Sequence, residues 1–299
     1  MAPSDNADMY IGHVRNWVLL ERQRAERAAA MAVRHEEKQA HASEAMREHH
    51  ARLAELYRRI ERRHLASSQM QAMHAGRLRR WAEAGASQGA IRPLFMASVA
   101  TILDVDSAIL ALFGRWQLPA MVAASNATAR AAHDLEFTLG EGPMIDAVEQ
   151  EHVVFEAGPA MLVRWPEYGA AVADLGVRAV IAMPVRLPTV NLGALCGFDG
   201  RPELCGGVTA SADRVADALA HAVLQAAQLP ERGHTAPHLP LFDEADYCEV
   251  VHQAVGMVAV QCACDLRDAM ALLRARAFAD GHPVDAIAER IVHGTLRLS

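Results

Sequence analysis

The residues most able to do chemistry in this sequence are not gathered into a known catalytic or metal-binding spacing. The cysteines are odd in number and contain no CxxC pair, so they indicate neither a disulfide framework nor a zinc site. His133 and His152 are separated from other potential ligands, and lone histidines are more often hydrogen-bonded or solvated than metal-bound. We therefore predict no catalytic and no metal-binding residue. The five cysteines are Cys196, Cys205, Cys248, Cys262 and Cys264.

A glycine-rich segment, Gly140-Glu-Gly-Pro143, is the nearest approach to a phosphate-binding loop. It lacks the lysine that a Walker loop places beside the phosphates, and neither GxSxG nor HExxH occurs in the chain. Pro143 suits the first position of a helix. The segment therefore predicts a tight turn that leads into a helix.

A basic cluster, Arg58, Arg59, Arg62 and Arg63 followed by His64, is a second candidate for chemistry. Such a cluster could contact phosphates. It could equally be a solvated helix face on which glutamates three or four residues away pair with the arginines. The second interpretation is the more common one.

Composition indicates a folded protein with regions of different charge. Of 299 residues, 52% are hydrophobic, and the net charge of −7 argues against coating nucleic acid by bulk charge. Residues 1–85 are net positive, whereas both 86–240 and 241–299 are net negative. No apolar run reaches a membrane-spanning length and no signal peptide is visible, so we expect a cytoplasmic protein.

Residues 1–85 are rich in helix-forming residues and predict one long helical segment. A heptad frame with position a at 11, 18, 25 and every seventh residue onward gives an apolar seam that is best at Met46, Leu53, Leu56 and Ile60. Such a helix needs a partner, which is either a second copy or its own second half folded back. We favour a homodimer.

The middle of the chain predicts an α+β domain, because short strands such as Ala108–Phe113 and 177–185 alternate with helices. Its motifs resemble those of GAF domains over about 88–228, which implies a central antiparallel sheet with flanking helices. The motifs are Gly140-Glu-Gly-Pro-Met-Ile-Asp-Ala147, Arg164-Trp-Pro166, Gly176-Val-Arg-Ala-Val180, Met183-Pro184 and Leu192-Gly-Ala-Leu195.

The GAF resemblance also implies a small-molecule pocket on the sheet. The residues expected to bind the unknown ligand are Leu139, Met144, Ile145 and Val180. Many relatives carry cysteine where this chain has Met144. Thiol chemistry at that position is therefore excluded, and a GAF-type enzyme, such as a sulfoxide reductase, is the least favoured alternative.

Three amphipathic helices of about 15 residues are predicted after a proline-containing linker, with Asp265 as a helix cap. They resemble an ANTAR domain, a family of RNA-binding transcription antiterminators, over about 242–299. The matching segments are Val251-His-Gln-Ala-Val-Gly-Met-Val258, Asp268-Ala-Met-Ala-Leu-Leu-Arg274 and Ala286-Ile-Ala-Glu-Arg-Ile-Val292.

Together the resemblances imply a long helical segment (1–85), a GAF-like sensor (86–229), a linker (230–241) and an ANTAR-like three-helix bundle (242–299). The implied function is a signal-responsive antitermination regulator that binds hairpins in nascent RNA, with Arg274, Arg276 and Arg297 as the expected RNA contacts. A dimeric interaction or sensor protein that does not bind RNA is the alternative.

Overall fold

The N-terminal segment is a helical hairpin rather than one continuous helix. The computed structural model describes residues 3–84, 92–114, 119–203, 208–227, 240–243 and 245–298. Helix α1 (Pro3–His41) ends just before Ser43, which adopts an extended backbone and begins α2 (Glu44–Glu83). The two helices pack along their length, so the second half folds back on the first. Whether two chains pair remains a prediction.

The heptad frame predicted from the sequence is right in α1 and wrong in α2. In α1 the buried seam contains Ala25, Ala28 and Ala32, which are the predicted core positions. In α2 it contains Ala54 instead of Leu53, while Leu56 stays 47% exposed. The break between the helices shifts the phase by one residue, because the frame was carried through residues that are not helical.

Polar contacts fix the register of the hairpin. His64 Nδ1 lies 2.8 Å from Glu21 Oε2, and both side chains are buried. Nearer the tip, the Arg58 guanidinium donates to both carboxylate oxygens of Glu36, at 2.9 and 3.0 Å. Arg58 therefore forms an ion pair within the hairpin, and its charge is not available to a ligand of the predicted basic cluster.

The middle of the chain forms the α+β domain that the sequence predicts. The described elements between α2 and the C-terminal helices are α3 (Phe95–Leu103), β1 (Ser107–Phe113), β2 (Pro119–Ala124), α4 (Ala127–Leu139), α5 (Pro143–Gln150), β3 (Val154–Ala157), α6 (Pro159–Arg164), α7 (Pro166–Asp174), β4 (Ala179–Leu187), β5 (Val190–Asp199) and α8 (Val208–Ala227). Asn126 caps α4, since its side chain accepts a hydrogen bond from the Ala129 amide at 2.9 Å. Helix α6 was not predicted.

The five strands form one antiparallel sheet in the order β2-β1-β5-β4-β3. Side chains alternate between its faces, so β4 sends Ile181 and Met183 into one core and Val180 and Ala182 into the other. The first core is covered by α3, α8 and part of α2. The second core is covered by α4, α5, α6 and α7, and it continues into the C-terminal helices.

The C-terminal segment contains a short helical turn, α9 (Pro240–Asp243), and three helices, α10 (Glu249–Cys262), α11 (Leu266–Asp280) and α12 (Val284–Val292). Asp265 caps α11, as predicted, by accepting a hydrogen bond from the Asp268 amide at 2.8 Å. Gly281 ends α11 in the left-handed conformation. The three helices pack on one another around alanines and branched aliphatic residues.

Two features are absent from the described part of the chain. None of its helices combines the length and apolar character needed to cross a membrane. None of its histidine, cysteine, aspartate and glutamate side chains group in threes suited to a metal ion. Cys205 and most of the predicted linker, 228–239, lie outside the described residues.

Candidate functional site

Helix α4 is the element that links the sheet domain to the C-terminal helices. It packs on β1, β2 and α7, and it also contacts α11 and α12. Its buried face carries Glu136, whereas Arg130 and Phe137 face the C-terminal helices. One helix therefore touches both a buried polar cluster and the bundle.

Glu136 is a buried carboxyl group that caps a neighbouring helix. Its Oε1 atom accepts hydrogen bonds from the backbone amides of Met144 and Ile145, at 2.7 and 2.8 Å, in the first turn of α5. Its Oε2 atom is buried without a hydrogen-bond partner. Burial raises the pKa of Glu136 to about 8, although the two amide hydrogen bonds act in the opposite direction. The carboxyl group is therefore poised to change charge near neutral pH.

Two other buried polar groups lie within electrostatic reach of Glu136. The Tyr168 hydroxyl is fully buried and has no hydrogen-bond partner. Burial, together with the Glu136 charge, raises the pKa of Tyr168 and that of the buried Cys196 thiol well above their ordinary values. We call Glu136, Tyr168 and Cys196 the buried polar cluster. The two oxygens of this cluster that lack a partner, Glu136 Oε2 and the Tyr168 hydroxyl, could form hydrogen bonds with a ligand or a water molecule. Cys196 is a poor nucleophile as long as its thiol is protonated.

Two glutamates fix the loop between α4 and α5, because Glu136 accepts hydrogen bonds from α5 and Glu141 accepts hydrogen bonds from α7. Glu141 Oε1 accepts hydrogen bonds from the backbone amides of Glu167 and Tyr168, at 2.8 and 2.9 Å, and so caps α7. Gly142 lies against Glu136, because a Cβ atom there would be 2.5 Å from Glu136 Cγ. A movement of the Glu136 side chain would therefore displace Gly142 and change the conformation of this loop.

The predicted ligand residues surround this region but are largely core residues. Met144 and Val180 are buried in the same hydrophobic core as Cys196. Leu139 and Ile145 are half-buried at the end of α4 and the start of α5. Met144 also donates its amide to Glu136. These four positions thus border the buried polar cluster, and whether they bind a ligand remains a prediction.

Arg274 of α11 lies directly against Gly140, the residue that ends α4. A Cβ atom on Gly140 would collide with the Arg274 guanidinium, and Gly140 has the left-handed backbone that glycine favours. Burial lowers the pKa of Arg274, and among the described residues no carboxylate forms an ion pair with it. A cation at this position is favourable because the C-terminal end of a helix carries partial negative charge.

Arg130 forms a second tie between α4 and the bundle. Its guanidinium donates to Asp246 at 2.8 Å and to Asp285 at 3.5 Å, and it also pairs with Asp134 on its own helix. These residues border a cleft of about 460 Å³ between α4 and the bundle, where Phe137 supplies apolar surface. Ionic contacts with α4 therefore add to the shared hydrophobic core in holding the bundle against the sheet domain.

The other two arginines predicted to bind RNA lie elsewhere on the bundle. Arg276 pairs with Asp280 at 3.0 Å, and Arg290 shares the same carboxylate. Arg297 is exposed near the C-terminus. Arg274 is partly buried against Gly140, and whether these three arginines bind RNA remains a prediction.

Sequence reasoning missed the two capping glutamates, although a signal for them exists. Helices α5 and α7 both begin with proline, and the residues before them, Gly142 and Trp165, provide no side-chain cap. Such helix starts need an acceptor from elsewhere in the chain. Glu136 and Glu141, the two carboxylates that most closely precede the first of these helices, supply the acceptors.

Comparisons with known proteins add little to this geometry. No protein-family model matches the chain, and no curated protein matches it. Among solved structures, a domain assigned to a two-component sensor histidine kinase of Sinorhizobium meliloti aligns with a TM-score of 0.38 and 16% identity. The alignment covers 44% of this chain and 88% of that domain.

Proposed function

We propose that this protein is a signal-responsive, RNA-binding regulator of transcription antitermination. The middle domain acts as a GAF-like sensor, and the C-terminal bundle is the ANTAR-like module that binds hairpins in nascent transcripts. The resemblance of both segments to those families, noted on the sequence, supports the assignment. The long hairpin is the proposed dimerisation element.

One observation carries the regulatory part of the proposal, namely the packing of Arg274 on Gly140. An arginine expected to contact RNA packs against the residue that ends α4 and is partly buried there, and the buried polar cluster lies next to the same loop. A signal that rearranges this loop would therefore change the exposure of Arg274. In the packed arrangement, the bundle is held in a state of low RNA affinity.

Variants of the full-length chain test this proposal through their affinity for a two-hairpin RNA. Arg130→Ala removes the ties to Asp246 and Asp285 without removing a predicted RNA contact, so we expect tighter binding than wild type. Arg274→Ala removes a predicted contact, so we expect weaker binding. Arg267→Ala is the matched control, because Arg267 is an exposed arginine on the same helix as Arg274.

The outcomes separate the regulatory idea from the RNA-binding function. Equal affinity of Arg130→Ala and wild type would contradict the control of RNA binding by docking. Failure of both proteins to retain any RNA from a random pool of hairpins would refute RNA binding itself.

A non-RNA-binding interaction protein is the second candidate, and one observation favours it. Residues 241–299 hold nine acidic and five basic residues, which repel rather than attract phosphates. The bundle also exposes apolar side chains, with Val260 84% and Phe278 61% accessible. A protein partner would cover such groups.

A further inference from the structure

A wide basic cleft lies where α2, α8 and the end of β4 meet. Its volume is about 1050 Å³. Its walls carry five arginines but only three carboxylates, so the cleft has a surplus of positive charge. The arginines are Arg59, Arg62, Arg63, Arg186 and Arg214, and the carboxylates are Glu151, Asp213 and Asp217.

Two of these arginines are not committed to ion pairs. Arg62 is paired with Glu55 at 2.7 Å, and Arg186 lies 3.6 Å from Glu151. By contrast, neither Arg59 nor Arg63 has a salt bridge within the described ranges, and the Nε atom of Arg63 is buried without a hydrogen-bond partner. Guanidinium groups that line a cleft without a carboxylate partner are available to pair with an anionic ligand.

The cleft also has an apolar lining. Pro184, Leu187 and Pro188 supply it at the end of β4 and just after it, together with Val153 before β3 and Ala216 of α8. A cleft with apolar walls and a few convergent charged groups is typical of small-molecule sites. The combination suits a ligand that carries an anionic group at one end and an apolar or aromatic group at the other.

We propose that this cleft binds a phosphorylated small molecule with an aromatic or apolar moiety, of which a nucleoside polyphosphate is the representative. Arg59 and Arg63 would hold the phosphates, because guanidinium groups pair with phosphate oxygens through two parallel hydrogen bonds. The apolar moiety would lie on Pro184 and Leu187. Because α2 belongs to the hairpin and β4 to the sheet, the ligand would bridge the two. This site is separate from the buried polar cluster, which lies on the other face of the sheet.

Calorimetric titration of the full-length protein tests the proposal with ATP, inorganic triphosphate and adenosine. We expect ATP to bind, triphosphate to bind more weakly and adenosine not to bind. Arg186, at the exposed end of β4, lines the same cleft and would be a further phosphate contact. The double variant Arg59→Gln/Arg186→Gln should lose at least about tenfold in affinity for ATP, which is the effect of removing charge-assisted hydrogen bonds worth about 1.4 kcal/mol. Both side chains are exposed enough for the fold to tolerate the changes, and Arg63→Gln tests the third contact alone.

The matched control is Arg79→Gln/Arg80→Gln, which removes two exposed arginines of the same helix outside the cleft. It should bind ATP like wild type. Equal losses in the two double variants would show that attraction is unspecific and would overturn the proposal. So would binding of adenosine as strong as that of ATP, or no binding of either ATP or triphosphate. Binding of a single-stranded RNA that the Arg59→Gln/Arg186→Gln variant loses, without binding of ATP, would assign the cleft to RNA and would also overturn the proposal.

Discussion

The side chain of Glu136 fills the space in which a Cβ atom of residue 142 would lie. Glycine is therefore required at position 142 by contact with a neighbouring helix as well as by its own backbone, whose φ is +156°. This close approach brings the Glu136 carboxylate to the amides of Met144 and Ile145.

We predict that Gly142→Ala destabilises the protein by about 1–3 kcal/mol, because overpacking and backbone strain both oppose the new methyl group. Urea unfolding measures the change in free energy. Gly158→Ala is the control, since Gly158 also has a positive φ but a Cβ atom added there would meet nothing within 4 Å. If both variants lose the same free energy, backbone strain alone accounts for the effect.

The raised pKa of Glu136 predicts a difference in pH dependence between wild type and Glu136→Gln. The folded pKa is about 8 and the ordinary value is 4.5. The folded state therefore binds the proton more tightly than the unfolded state, and the stability of wild type falls as pH rises between these values. Glutamine resembles the protonated acid, so the variant should lack this loss, which is on the order of 3 kcal/mol.

Unfolding free energies at about pH 5 and about pH 8 measure this effect. The variant should be close to wild type at the lower pH and more stable at the higher pH. A constant difference between the two proteins at both pH values would show that Glu136 is already ionised in the fold. Asp146, Tyr168 and Cys196 also face this group, but they are present in both proteins.

Removal of Arg130 should loosen the bundle without unfolding the sheet. Arg130→Ala leaves Asp246 and Asp285 without their cation, which should cost about 1 kcal/mol at these partly exposed positions. Hydrogen exchange should quicken in α10 and α12 but not in β4 or β5. Uniform quickening in both regions would mean that Arg130 stabilises the whole chain.

The exposed stripe of α2 still predicts a homodimer. Met46 and Leu56 are 45% and 47% exposed because the hairpin seam uses other positions. Leu56→Glu should therefore weaken self-association in sedimentation experiments. The control is Leu65→Glu, which places the same charge at a 43% exposed leucine outside the stripe. A wild-type monomer at micromolar concentration would contradict the prediction.

Local patterns predicted much of the fold because they depend on neighbouring residues. The cap at Asp265 and the short strands of the sheet are of this kind. The turn of the hairpin was not predicted, since Ala42 and Ser43 are not strong breakers and the heptad frame continues through them. Their effect depends on the partner helix that packs alongside.

The candidate site was predicted less well because it depends on contacts between distant segments. The motifs located the loop at Gly140 but not the capping role of Glu136, whose partners lie in another helix. Arg274 was expected at an RNA surface. Its packing on Gly140 depends on how the bundle docks, which is not encoded in the periodicity of α11.

The segment that enters the bundle also protects the edge of the sheet. Asp246 exchanges two backbone hydrogen bonds with Val122 of β2, at 2.7 and 2.8 Å, and β2 is an edge strand. Unpaired edge strands promote aggregation between molecules. If the bundle undocks and this bridge breaks, the backbone groups of β2 become available for pairing with another molecule. A state with the bundle undocked should therefore be short-lived or protected by a bound partner.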